Sequence, residues 1–347
     1  MSELKDTITS VKETTDLRNE IEANLGAPKF NHRGWAMWSC PFHDEKTAGG
    51  FIVYRNRYKC YSCGKTGDIF DWWQFWTGKS LVELVDNHTL SPSEEVERKK
   101  IAAEMSIKRL EQEIELAKQA LNELKSAVKW EVYHNNLNSE NRHFWRTRGV
   151  PDWYQDYMKL GINPDKVLYY EEKEYHTPTI TIPFYKLGFD CVNLKHRLLQ
   201  PPTPGWKYSY EHKGLPSNLF IAEPDMTSLS GRTLLVEGEI KAMVSMVTAD
   251  DPTLQVIGMP GKSPRMDMLD ELKDCEPIYM CLDPDAYEFT GDMKSKDQRS
   301  AVQVILDYLG RERVRVIKLP QKIDDFILET KADKTWMNKI MQTARML

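Results

Sequence analysis

Two short pairs of metal-type donors, Cys40-x2-His43 and Cys60-x2-Cys63, constrain this chain more than any other feature. Each pair fits a tight turn and offers two donors to one ion. Two such knuckles close a tetrahedron, the geometry Zn2+ takes in structural sites. The protein fills all four positions, which leaves no open place for a catalytic water. The expected ion, one Zn2+ per chain, holds a small domain together and presents a surface.

The 347 residues give room for two or three domains. With 41% hydrophobic and 29% charged residues, the composition is that of a globular chain. No apolar run reaches membrane-spanning length, and the opening MSELKDTITSVKETTDLRNE does not read as a signal peptide. Outside the metal set stand Cys191, Cys275 and Cys281. This odd remainder points to reduced thiols and a cytoplasmic location without a membrane partner. A net charge of −5 excludes a nucleic-acid-coating protein, so any such contact must come from local basic patches.

Along the chain, residues 1–29 carry apolar positions at helical spacing and predict a short helix. GFIVYRNRYKCYSCG predicts a hairpin or ribbon between the knuckles. DIFDWWQFWTG predicts a helix opened by Asp68 and closed at Gly78. From Ser93 to about His134 the sequence predicts one long charged helix. Its seam is Ile107, Leu110, Ile114, Ala117, Leu121, Leu124 and Val128. That seam suits a connecting helix laid on a neighbouring domain, or a dimer coiled coil. Beyond residue 135 come β-rich runs, TPTITIPFY and FDCVNLKHRLL, and from residue 231 strands and helices alternate. The order TLLVEG, EIKAMVSMVT, LQVIGMPG, MDMLDELKD, PIYMCLDPDA, AVQVILDYLG, RVRVIKLP predicts an α/β domain with a mostly parallel sheet. The fold class expected overall is multidomain α+β.

Ligands gather at the carboxyl ends of such strands, and acids stand there. Glu237 ends LLVEG, Asp283 and Asp285 end IYMCLDPD, and Asp324 and Asp325 follow the next strand. Strand alternation sends Asp283 and Asp285 the same way. Carboxylates this close are unfavourable without a cation, and Mg2+ takes one or two of them plus phosphates and water.

These residues meet a known family. CPFHDEKTAGGF followed by YKCYSCGKTGDIFDW resembles the zinc domain of bacterial DnaG-type primases, and LLVEG with CLDPDA looks like the TOPRIM domain of primases and topoisomerases. RTRGV, TITIPFY with KHR, WKY and HKG are similar to that family's basic subdomain. The resemblance implies a zinc ribbon at 1–90 and a helical linker at 91–134. A basic subdomain of the primase core at 135–228, a TOPRIM subdomain at 229–332 and a C-terminal helix at 333–347 follow. Two departures stand out. Lys241 occupies a place where many primases carry Asp, and the third acidic element reads Lys322-Ile323-Asp324.

Function is implied in the same way: metal-dependent synthesis of short RNA primers on single-stranded DNA from ribonucleoside triphosphates. Asp283 and Asp285 are the expected Mg2+ or Mn2+ ligands, Glu237 a ligand or general base, and Asp324 a further ligand. Arg148, Arg197, Lys207 and Lys213 are the expected contacts to template and triphosphate. Trp35, Trp38, Tyr54, Tyr58 and Tyr61, among Arg55, Arg57, Lys59 and Lys65, are either a base-stacking surface or the core of a tiny domain. A replicative helicase is an expected partner, and a compact primase of a phage or mobile element fits the length. Two alternatives remain: a TOPRIM nuclease using the same acids, and a non-catalytic single-strand binding factor, for which Lys241 speaks.

Overall fold

The computed structural model describes residues 2–32, 35–43, 50–54, 56–87, 92–170, 173–203, 205–212, 215–261, 264, 266–288 and 300–346. The chain forms two compact units, one of residues 1–119 with 171–173 and one of 120–170 with 174–347.

In the first unit, α1 (Ser2–Thr14) is followed by α2 (Leu17–Leu25). The single helix expected here is two, because Asp16 accepts the Arg18 and Asn19 N–H groups and so caps a new start. Strands β1 (Phe30–His32), β2 (Trp35–Trp38), β3 (Phe51–Tyr54), β4 (Arg57–Cys60) and β5 (Thr66–Gly67) form one antiparallel sheet in that order. The β3–β4 hairpin lies between the two knuckles, as the alternation predicts. Helix α3 (Ile69–Thr77) opens on a capping box of Asp68 with Asp71 and closes on Gly78 at φ 70°. Trp38, Phe51, Val53, Tyr58 and Trp72 build the core with Val11, Leu17 and Ile21. Helix α4 (Leu81–Asn87) precedes the long α5 (Pro92–Ala127).

The long helix is shorter than expected. Val128 takes a left-handed conformation at φ 47°, and a separate α6 (Lys129–Asn135) begins after it. Along α5, Ile107, Leu110 and Ile114 are exposed, while Ala120 and Leu124 are buried. Leu124 enters the core of the second unit.

That unit continues with α7 (Ser139–Arg146), α8 (Asp152–Tyr157), β6 (Gly161–Tyr170), β7 (Lys173–Lys186), β8 (Asp190–Leu198) and β9 (Tyr208–Tyr210). The four strands form one sheet, with β7, β8 and β9 antiparallel in sequence. Next come β10 (Phe220–Ile221), β11 (Gly231–Glu237), α9 (Glu239–Ala249), β12 (Gln255–Met259), β13 (Cys275–Cys281), α10 (Ala301–Leu309) and β14 (Val314–Val316). Their sheet order is β10-β12-β11-β13-β14. The pairings β11–β12, β11–β13 and β13–β14 are parallel, and β10 alone runs against its neighbour. This is the mostly parallel sheet that the alternating pattern predicts. One helix differs: MDMLDELKD forms a 3-10 segment, Met266–Leu272, which buries Met268, Leu269 and Leu272. Helices α11 (Ile323–Thr330) and α12 (Lys334–Gln342) complete the chain.

Candidate functional site

The four knuckle residues converge. One donor atom from each of Cys40, His43, Cys60 and Cys63 lies within 4.8 Å of the others. Cys40 and Cys63 Sγ are 3.8 Å apart. Two thiolates on one tetrahedral Zn2+, with bonds of about 2.3 Å, stand about 3.8 Å apart, so the donor set fits this ion. The second knuckle is shaped by its backbone: Gly64 N–H bonds to Cys60 O, and Cys63 N–H points at Cys60 Sγ. Burial pushes the Cys40 thiol up to about 12, so a metal must displace its proton on binding.

Around the ribbon the aromatic residues divide. Trp38 and Tyr58 are core, and Trp72 and Trp73 are buried on α3. Tyr54, Tyr61, Phe75 and Trp76 are exposed, and Lys59 Nζ sits 4.8 Å from the Tyr61 ring centre. Arg55 lies outside the described residues.

The acidic set also converges. Donor atoms of Glu237, Asp283 and Asp285 lie within 4.8 Å of one another. Glu237 ends β11, and the turn behind it is tight: Gly238 has φ 87° and its N–H bonds to Met259 O at 2.6 Å. A Cβ on Gly258 in β12 would come 2.7 Å from Gly238 O, so glycine there lets the turn seat. The register pairs Val236 with Cys281 and Glu237 with Met259, which puts the ends of β11, β12 and β13 level.

The two aspartates reach the site by another route than alternation. Strand β13 stops at Cys281, Asp283 precedes a 3-10 turn at Pro284–Tyr287, and Asp285 lies inside that turn. Asp283 is 5% exposed. Asp324, on the first turn of α11, has its carboxyl pushed up by burial, with Lys241 opposing the shift. Its buried Oδ1 has no hydrogen-bond partner among the described residues. The three clustered carboxylates are a donor set that fits a hard divalent cation.

Within reach of the Asp324 charge stands a basic pair. The Arg148 guanidinium lies 3.5 Å from the Phe144 ring centre, and Arg197 lies 5.7 Å from the same ring and 5.9 Å from that of Tyr208. Burial and the Arg197 charge lower the Arg148 value, while Asp324 raises it, so Arg148 senses both sets. Lys207 is exposed just before β9, where its carbonyl accepts the Leu198 N–H. Lys213 lies outside the described residues.

Several residues near the site were not singled out by sequence. Lys195 donates to both carboxylate oxygens of Glu239 at 3.0 Å. Glu211 collects His196 at 2.8 Å, Lys166 at 3.1 Å and Lys129. His196, which sequence spacing marks as ordinary, is fully buried on β8 and also meets Thr179 at 2.8 Å. No spacing signal marks these groups, because their partners come from distant segments.

Residues 4–104 match the family model of the CHC2 zinc finger, the zinc ribbon of DnaG. A DNA primase of Chlamydia trachomatis is 50% identical over 48 residues, which are 13% of this chain and 8% of that protein's length. A DNA primase of Chlamydia muridarum matches equally, at 50% over 48 residues and the same two shares, 13% and 8%. The zinc-binding and RNA polymerase domains of the Aquifex aeolicus primase superpose with a TM-score of 0.48 at 17% identity. That superposition covers 98% of this chain and 86% of the Aquifex chain. The knuckle geometry and the matched span agree, and the N-terminal region of this chain is similar to the CHC2 zinc finger.

Proposed function

We propose that the protein is a DNA primase, joining ribonucleotides into short primers on a single-stranded DNA template. The observation that carries this reading is one chain holding a match to the CHC2 zinc finger and a Glu237–Asp283–Asp285 cluster of converging carboxylates. The domain division proposed is a zinc ribbon at 1–90, a helical linker at 91–134, a basic subdomain at 135–228, a TOPRIM subdomain at 229–332 and a C-terminal helix.

Bound Mg2+ or Mn2+ would stabilise the attacking 3′ oxygen and the leaving pyrophosphate. Asp283 and Asp285 hold the cation, Glu237 is a ligand or the base that takes the hydroxyl proton, and Asp324 adds a donor. Arg148 and Arg197 hold phosphates of the triphosphate or template. Phe144 and Tyr208 keep the guanidinium planes in place, and Lys207 and Lys213 are the further proposed contacts to template and triphosphate. On the zinc finger, exposed Tyr61, with Lys59 over its ring, offers a stacking surface to template bases. A replicative helicase is the proposed protein partner.

The test is product analysis with labelled ribonucleoside triphosphates on mixed-sequence single-stranded DNA. Template-dependent oligoribonucleotides support the reading. Shortened template would mark a nuclease, and retention of DNA without either product would mark a binding factor.

A further inference from the structure

Lys241 stands on the first turn of α9, one helical turn beyond Glu237. Its Nζ lies 3.1 Å from Asp283 Oδ2, and the two side chains are only 13% and 8% exposed. Lys322 approaches the same oxygen at 3.9 Å, but its side chain is 54% exposed. The close, buried counter-charge of Asp283 is therefore Lys241. The same ammonium also acts on the Asp324 carboxyl, opposing the effect of its burial.

Three carboxylates with donor atoms inside 4.8 Å of one another repel strongly unless cations stand among them. Together with one ammonium they leave two negative charges, which a single divalent ion neutralises. A second ion at Asp283 Oδ2 would have to take the place the ammonium holds. An ammonium carries three donors and no acceptor, so it binds a carboxylate as an ion would but cannot itself ligate one.

We propose that Lys241 is a built-in cation of the acid cluster: it positions Asp283 and limits the free protein to one divalent ion there, so that any second ion must arrive with the phosphates of a bound nucleotide. This rests on the reading of Glu237, Asp283 and Asp285 as a divalent-cation site. Lys241 is a positioning residue, acting through Asp283.

The test is titration of the zinc-loaded full chain with Mn2+, free Mn2+ being read by electron paramagnetic resonance. Wild type is compared with Lys241→Met, Lys241→Arg, Lys241→Asp and Asp283→Asn, after thermal melting has shown that each folds. Wild type binds one Mn2+, and Asp283→Asn weakens it. Lys241→Met tightens it about tenfold or more, as removal of a like charge a few ångströms from the ion requires. Lys241→Arg keeps the wild-type affinity, and Lys241→Asp binds two ions. Two ions on wild type, or equal affinity in wild type and Lys241→Met, overturns the role of Lys241 and leaves the metal site standing. No Mn2+ bound by any of the proteins overturns both.

Discussion

The Arg148 guanidinium lies 3.5 Å from the centre of the Phe144 ring, and Arg197 flanks that ring at 5.7 Å. Both cations lie against one aromatic ring, and the Asp324 charge acts on Arg148. Stacking removes rotamer freedom from both before any ligand arrives. Arg148→Ala should weaken single-stranded DNA binding and lower the salt slope by about one phosphate contact. Phe144→Ala keeps every charge and should cost about 1 kcal/mol, roughly fivefold in Kd. Fluorescence anisotropy across a salt series reads both. An unchanged slope for Arg148→Ala would remove it from the nucleic-acid surface.

Zinc closing the two knuckles should hold the first unit together. Structural Zn2+ contributes on the order of 10 kcal/mol to domains of this size. Cys60→Ser, or chelation of the wild type, should release one zinc per chain and abolish the folded signal of the ribbon. The second unit has its own core and should melt in a separate transition at its wild-type temperature. Zinc content by atomic absorption and melting by calorimetry check this. A ribbon that melts unchanged without zinc would contradict it.

Glu211 gathers two ammonium groups, of Lys129 and Lys166, and the buried imidazole of His196 inside the second unit. Burial alone would raise its carboxyl, but hydrogen bonds from His196 and Lys129 and the charge of Lys166 hold it well below the usual range. Ionised Glu211 therefore stabilises the fold fully above its unfolded value of about 4.3. That contribution fades as pH falls toward the lower folded value. Glu211→Gln should cost about 3 kcal/mol at pH 7, because it leaves the largely buried Lys166 ammonium without its counter-charge. The gap in Tm between wild type and variant should shrink below about pH 4. A gap independent of pH would show that Glu211 acts through shape alone.

The zinc ligands were legible because each pair is local, and two tight turns need no knowledge of the rest of the fold. The parallel sheet was legible for a related reason: alternating strand and helix patterns admit few topologies. Glu237 and the DPD segment were found as strand-end acids, and they do converge. The reason given by alternation is wrong, since β13 stops at Cys281 and a 3-10 turn carries Asp285 back. The long helix was read through Val128, whose left-handed backbone nothing in a β-branched residue announces. Arg197 against Phe144, and Glu211 among Lys129, Lys166 and His196, join segments far apart in the chain. No local pattern encodes such meetings.

The most direct test of the account is primer synthesis by the zinc-loaded protein with Mg2+ or Mn2+, wild type beside Asp283→Ala. Short template-dependent oligoribonucleotides should form with wild type, and the variant should lose them by at least about a hundredfold, as loss of a metal ligand implies. Equal product from Asp283→Ala would place the chemistry elsewhere. No product from wild type, with or without a helicase, would contradict the assignment as a primase.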